Sequence, residues 1–219
     1  MKTIQPMLFR RAVLAGAAAV LSLALGGPAV QAQDAGAKQA SAAATQDAIR
    51  DLWVGHIFWV RNVVVDTYAG NAAGAAAAEK QVVANAKAIA GAIEPFYGKA
   101  ASDKLFGLLA GHWGAIKEHI AATNKGDAAG QKAAVDKLTA NANEIAGFLS
   151  GANPNLPNET LRGLLMAHGG HHVQQNQQLK AKQYEQEAQT WDAMRNHMYT
   201  VADALTAAIA KQFPDKFSS

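Results

Sequence analysis

Histidine is the residue type with chemistry to offer in this chain. His56, His112 and His168 stand 56 residues apart. Neutral imidazoles suit zinc, copper, nickel or iron, and three protein ligands with an open fourth position is the donor pattern of catalytic zinc sites. At helical spacing each of the three lies on an apolar stripe. His56 shares its stripe with Leu52, Trp59 and Val60, His112 with Leu108 and Ile116, and His168 with Leu164 and Leu165. An inward imidazole needs a partner. The bland partner is a carbonyl or carboxylate, whereas three equivalent inward rings point to a shared ion. His119 and His172 lie farther along the same faces and are auxiliary candidates, as is Glu144, a carboxylate that could orient a ring. His171 and His172 read alternatively as exposed helix surface, and the Gln-rich stretch 174–178 as a solvated face. His197 takes the position of Asn85 and Asn141, where an inter-helix hydrogen bond is expected.

Sharper catalytic motifs are absent. The chain has no H-E-x-x-H, no E-x-x-H of di-iron bundles, no G-x-S-x-G and no phosphate loop. No catalytic residue is assigned, and a binding role is favoured over an enzymatic one.

The elements that must position the histidines repeat with them. Ile49, Leu105 and Leu161 keep the same register, as do Leu52, Leu108 and Leu164, and Trp53, Leu109 and Leu165. Ala84-Asn85-Ala86 returns as Ala140-Asn141-Ala142, and Ile89-Ala90-Gly91 as Ile145-Ala146-Gly147. Ungapped recurrence at this many positions marks a repeated structural unit. Each unit reads as two helices, over 46–69 and 72–93, 102–124 and 128–150, and 158–179 and 184–212, with Ser102 and Asn158 as N-caps. The break near 180–183 carries only a weak signal. The expected fold is an all-α bundle of about six helices built from three αα-hairpin repeats of 56 residues. Short connections make neighbours antiparallel, so the three histidine-bearing helices run parallel with their rings at one height. A closed ring of hairpins would bring those rings together and an open row would not.

Residues 1–32 have the pattern of a cleavable signal peptide: Lys2, Arg10 and Arg11, an apolar run from Ala12 to Leu25, and a small-residue site ending at Ala32. Periplasmic or secreted localisation follows, by ordinary unfolded export or, through Arg10-Arg11, by the twin-arginine route. Removing the signal takes three of the 20 basic residues and none of the 17 acidic ones, which leaves the remainder with no net charge. Nucleic acid is therefore not an expected partner, and no stable membrane span is expected after cleavage. The absence of cysteine excludes disulfides, thiolate metal sites, iron–sulfur clusters and covalent c-type haem. Residues 33–44 read as a flexible lead-in, 45–213 as the helical domain and 214–219 as a tail.

Leu52-Trp53 with His56, Trp59 and Arg61, then Phe96-Tyr97-Gly98, then Asn143-Glu144-Ile145-Ala146 with Phe148-Leu149, and Lys211-Gln212-Phe213, together resemble a family of exported bacterial helical-bundle proteins to which no activity is assigned. The resemblance implies counterparts of His56, His112 and His168, while His171 and His172 depart from it. Arg61 is expected to pair with an acid on a neighbouring helix.

These readings converge on an exported protein that binds a transition metal (copper, zinc, nickel or iron) for storage, buffering or delivery. Metal held this way is expected to be lost as pH falls through the histidine range. The alternatives are a structural or interaction bundle with core histidines, and a pocket for haem or another apolar small molecule.

Overall fold

Alanine-rich runs without interior proline favour helix, and Pro95, Pro154, Pro157 and Pro214 all fall outside the long helices. A computed structural model describes residues 40–218. The proposed signal segment and the lead-in up to residue 39 lie outside the described residues. The chain forms α1 (Ala42–Tyr68), α2 (Ala72–Ala92), the single turn α3 (Glu94–Tyr97), α4 (Lys99–Lys125), α5 (Ala128–Ala152), α6 (Asn158–Lys180) and α7 (Tyr184–Gln212), followed by a 3-10 turn over Pro214–Lys216. The result is an all-α bundle of six long helices.

Three tight turns close the hairpins α1–α2, α4–α5 and α6–α7. Each has one residue with positive φ: Gly70 (72°), Gly126 (70°) and Lys182 (59°). In each, a backbone N–H reaches back five residues, from Asn71 to Asp66 O, Asp127 to Ala122 O and Gln183 to Gln178 O, all at 2.9 Å. This is the 6→1 bond of a Schellman end. Asn71 and Asp127 also cap the following helix by accepting from Gly74 N and Gly130 N. Gln183 makes no such cap. The third turn thus keeps the geometry of the others without their glycine or their cap, which explains its faint signal in the sequence.

The hairpins close on one another. Each long helix packs on the next in chain order, and α7 returns to pack on α1. The helices α1, α4 and α6 turn inward, with α6 touching both of the others. One core cluster gathers Ile49, Trp53, Ile57, Leu105, Met194 and Met198. A second holds Val60, Val64, Trp113 and Ile116, and a third Leu108, Ile145, Leu161 and Leu165. The inter-helix bond expected of Asn85, Asn141 and His197 forms at all three positions: Asn85 Nδ2 donates to Leu52 O, Asn141 Nδ2 to Leu108 O, and His197 Nε2 to Leu164 O, each at 2.9 Å. Gly55 and Gly111 make room for the two amides, since a Cβ there would come within 3.1 and 3.3 Å of them.

Some boundaries differ from the sequence reading. Ser102 is not a cap, because α4 starts at Lys99, directly after the positive-φ Gly98. Nor is Asn158, because Pro157 holds the capping position and Asn158 is already helical. The first helix begins inside the expected lead-in, at Ala42, where Ser41 Oγ accepts from Ala44 N. The tail is tied back through Ser218 N to Ala40 O at 3.2 Å and the stacking of Phe217 on Phe96. Among the described residues no helix is long and apolar enough to cross a membrane.

Candidate metal centre

Closure of the bundle brings the inward helices' histidines together. His56 from α1, His112 from α4, and His168 and His172 from α6 each offer a ligand atom, and these four atoms lie within 4.8 Å of one another. Ring centroids are 5.4 Å apart for His56 and His168, 5.5 Å for His112 and His168, and 6.1 Å for His56 and His112. His172 sits one turn beyond His168 on the same face, with Nε2 of the two rings 3.2 Å apart. Trp53 presents an edge-on contact to His56 and His168 and walls the group on one side.

All four rings are buried, none more than 6% exposed, and their hydrogen bonding is incomplete. Among the described residues, His56 Nε2, both ring nitrogens of His112, His168 Nδ1 and His172 Nδ1 are buried without a hydrogen-bond partner. A neutral imidazole has one donor and one acceptor nitrogen, so this is an unusual concentration of unsatisfied polar atoms for a core. Burial also sets the charge state. It lowers the His56 pKa to about 3, with a smaller push from His112. Burial lowers that of His112 to about 4; the nearby Asn141 amide opposes this slightly without closing a well-formed hydrogen bond. His168 and His172 are held well below the ordinary histidine value by burial first, then by neighbouring histidines. All four are therefore neutral at physiological pH, the state in which imidazole ligates metal.

The remaining candidates fall elsewhere. His119 is buried but stands outside the group of four: its Nδ1 accepts from Asn176 Nδ2 at 2.7 Å, and Asn176 is held in turn by Thr123 Oγ1 and the Tyr68 hydroxyl. A cavity of about 10 Å³ is lined by both His119 and His172. Glu144 is exposed on α5 and reaches none of the rings. Its neighbours Ile145 and Ala146 take the inward positions, which leaves the carboxylate to solvent. His171 is half-buried and packs beside His197.

The stretch 174–178 is not a solvated face, since Gln175, Asn176 and Gln178 are buried. The spacing of His168, His172 and Asn176, four residues each time, was the available sign that one inward polar face continues through this segment. Gln175 Nε2 donates to Glu187 Oε1 at 2.8 Å, and Glu187, 2% exposed, accepts a two-pronged pair from Arg61 at 2.6 and 2.7 Å. The acid expected opposite Arg61 is thus Glu187 on α7.

Comparison of the chain with protein-family models, with curated proteins and with solved structures gives no match. The site must speak through its own geometry.

Proposed function

We propose that this is an exported helical protein that holds a transition-metal ion with His56, His112, His168 and His172, for storage, buffering or delivery. The observation that carries the proposal is four inward imidazoles within 4.8 Å of one another, several of whose ring nitrogens lack any other partner. A tetrahedral ion with bonds of about 2.0–2.1 Å needs nitrogen–nitrogen separations of roughly 3.3 Å. The closest pair stands at 3.2 Å, and the widest needs to contract by about 1.5 Å. Side-chain adjustment of that size is within reach of rings on three different helices.

The competing reading, histidines as plain core residues, leaves those nitrogens unsatisfied at about 1–3 kcal/mol each. A metal ligated by Nε2 of His56 and by one nitrogen of His112 removes part of that cost. Haem is disfavoured by size, because the cavity beside the rings measures about 60 Å³. A hydrolytic role lacks a base, since no carboxylate belongs to the group of four.

The donor set also ranks the ions. Four neutral rings in apolar surroundings leave a bound cation's charge uncompensated. The cost of burying an ion grows as the square of its charge and is already several kcal/mol for a single charge. Monovalent copper therefore fits better than divalent zinc or nickel. The proposed export agrees with a task outside the cytoplasm, and the recurrence of the Asn85, Asn141 and His197 bonds and of the three turns supports descent of the hairpins from one repeated unit.

The test is metal content by mass spectrometry on natively exported protein, purified without chelator or affinity tag, beside the variant with all four histidines changed to Ala. About one equivalent in the wild type, absent from a still-helical variant, is the expected outcome. No uptake after reconstitution with copper, zinc, nickel and iron overturns the proposal.

A further inference from the structure

An apolar cavity of about 60 Å³ borders the histidine layer. The rings of His56, His112 and His168 line one side of it and present almost no polar surface, and His172 is the one member of the four that takes no part in its lining. Aliphatic and aromatic side chains make up most of the rest, among them Leu109, Ala142, Phe148 and Leu165. At the far end Tyr97 contributes its ring, while its hydroxyl donates to Gln212 Oε1 at 2.8 Å and accepts from Asn153 Nδ2 at 2.9 Å. The tyrosine's polar tip is thus committed to the helix ends and only its ring is offered inward.

A cavity without polar walls stays dry, and an engineered one of about 150 Å³ takes benzene or xenon. The present cavity is less than half that size, which excludes aromatic rings and selects molecules of a few atoms. Charged or strongly hydrated molecules are excluded by the desolvation they would suffer. Three of the four rings face this space, and the fourth faces the small cavity shared with His119. An ion held by the four would turn the face formed by His56, His112 and His168 toward the apolar cavity, and a molecule binding through that face would take the place of His172.

We infer that this chamber binds a small uncharged apolar molecule of the diatomic-gas class, dioxygen or carbon monoxide in size and polarity, and presents it to the metal through the face formed by His56, His112 and His168. The second half of the inference rests on the metal reading above, and the first half does not.

The experiment separates them. Xenon is titrated into the metal-free wild-type protein and followed by 129Xe NMR, with Ala142→Leu and Leu149→Phe as chamber-filling variants. A saturable xenon shift in the wild type, weakened at least tenfold in variants of unchanged helicity, is expected. A linear, non-saturating response in the wild type overturns the chamber whether or not metal binds, and so does saturable binding untouched in a folded filled variant. Copper(I)-loaded protein is then exposed to carbon monoxide and examined by infrared spectroscopy. A metal-bound carbonyl band, diminished in the filled variants, is expected. Copper uptake without that band shows that the chamber does not open onto the ion and overturns the presentation step while the metal reading stands. Failure to take up copper defeats the metal reading, and with it the presentation step, while the xenon titration still decides the chamber.

Discussion

Acidifying the metal-free protein from pH 7.5 to 5.5 should remove about a third or more of its stability. The four clustered histidines have folded-state pKa values displaced downward from the ordinary 6.5, to about 3 for His56 and about 4 for His112, and well below 6.5 for His168 and His172. At pH 7.5 the rings are neutral in both the folded and unfolded states, and proton binding favours neither. Below 6.5 the unfolded chain takes up protons that the native core refuses, so stability rises with pH and falls on acidification. For one such ring at pH 5.5 the loss is RT ln(1 + 10), about 1.4 kcal/mol. Four rings give about 5.5 kcal/mol, against a total of about 5–15 kcal/mol for a domain. Asp203, lowered first by its hydrogen bonds from Arg50, loses its contribution only at lower pH. Urea denaturation followed by circular dichroism at the two pH values measures the difference. A loss below about 1.4 kcal/mol, the share of a single ring, would refute the account of four buried neutral imidazoles. Rings already neutral in the native state gain no proton near 6.5, so metal should be retained through that range and released when the fold gives way.

Other perturbations have equally definite outcomes. Changing His172 to Val should leave three ligands, lower metal affinity at least tenfold without abolishing it, and shrink the acid-induced loss by about 1.4 kcal/mol, read by metal competition and the same urea titration. Changing Arg61 to Met strands the carboxylate of Glu187, which is 3% exposed against 34% for Arg61; the expected cost is near the low end of about 3–5 kcal/mol, because Arg61 is partly solvated, and no change in urea midpoint would refute it. Lys182→Gly should raise stability by about 1 kcal/mol by relieving the only non-glycine positive φ among the described residues, seen as a higher thermal midpoint. Saturating metal at 100 times its dissociation constant should add about 2.7 kcal/mol, or roughly 5–10 °C in melting temperature, and an unshifted melt would count against a site in the native fold.

Most of the fold was legible because helix periodicity and turn chemistry are local. All six helix ends at the three hairpin turns fall within one residue of their expected places, and the recurrence of Leu52, Leu108 and Leu164 sets a common register. The ends misjudged at Ser102 and Asn158 show why boundaries are harder: Gly98 and Pro157 offer competing start signals, and tertiary packing of Ser102 in the interior settles the choice. Ring closure was not legible, because it depends on α7 meeting α1 across most of the chain. The role of Gln175 and Asn176 was obscured by composition: a run of glutamines and asparagines looks solvated until its four-residue spacing from His168 is followed.

The fourth ring of the cluster has a specific origin in the sequence. Positions 60, 116 and 172 share the 56-residue register, and they carry Val60, Ile116 and His172. All three are buried. In α1 and α4 this layer is ordinary core, one turn past the histidines at 56 and 112. In α6 it is an imidazole instead, 3.2 Å from His168. A strictly threefold arrangement would supply three rings and leave an apolar layer above them, which matches a three-coordinate ion or one with an open position. Replacing one apolar residue of that layer by histidine adds a fourth donor on the side away from the apolar chamber, because His172 lines the cavity shared with His119 and takes no part in the larger one. His172 therefore lies on one side of the proposed site, and the side formed by His56, His112 and His168 lines the chamber. In the proposed metal site that asymmetry would hold an ion with one face exposed and would not enclose it completely.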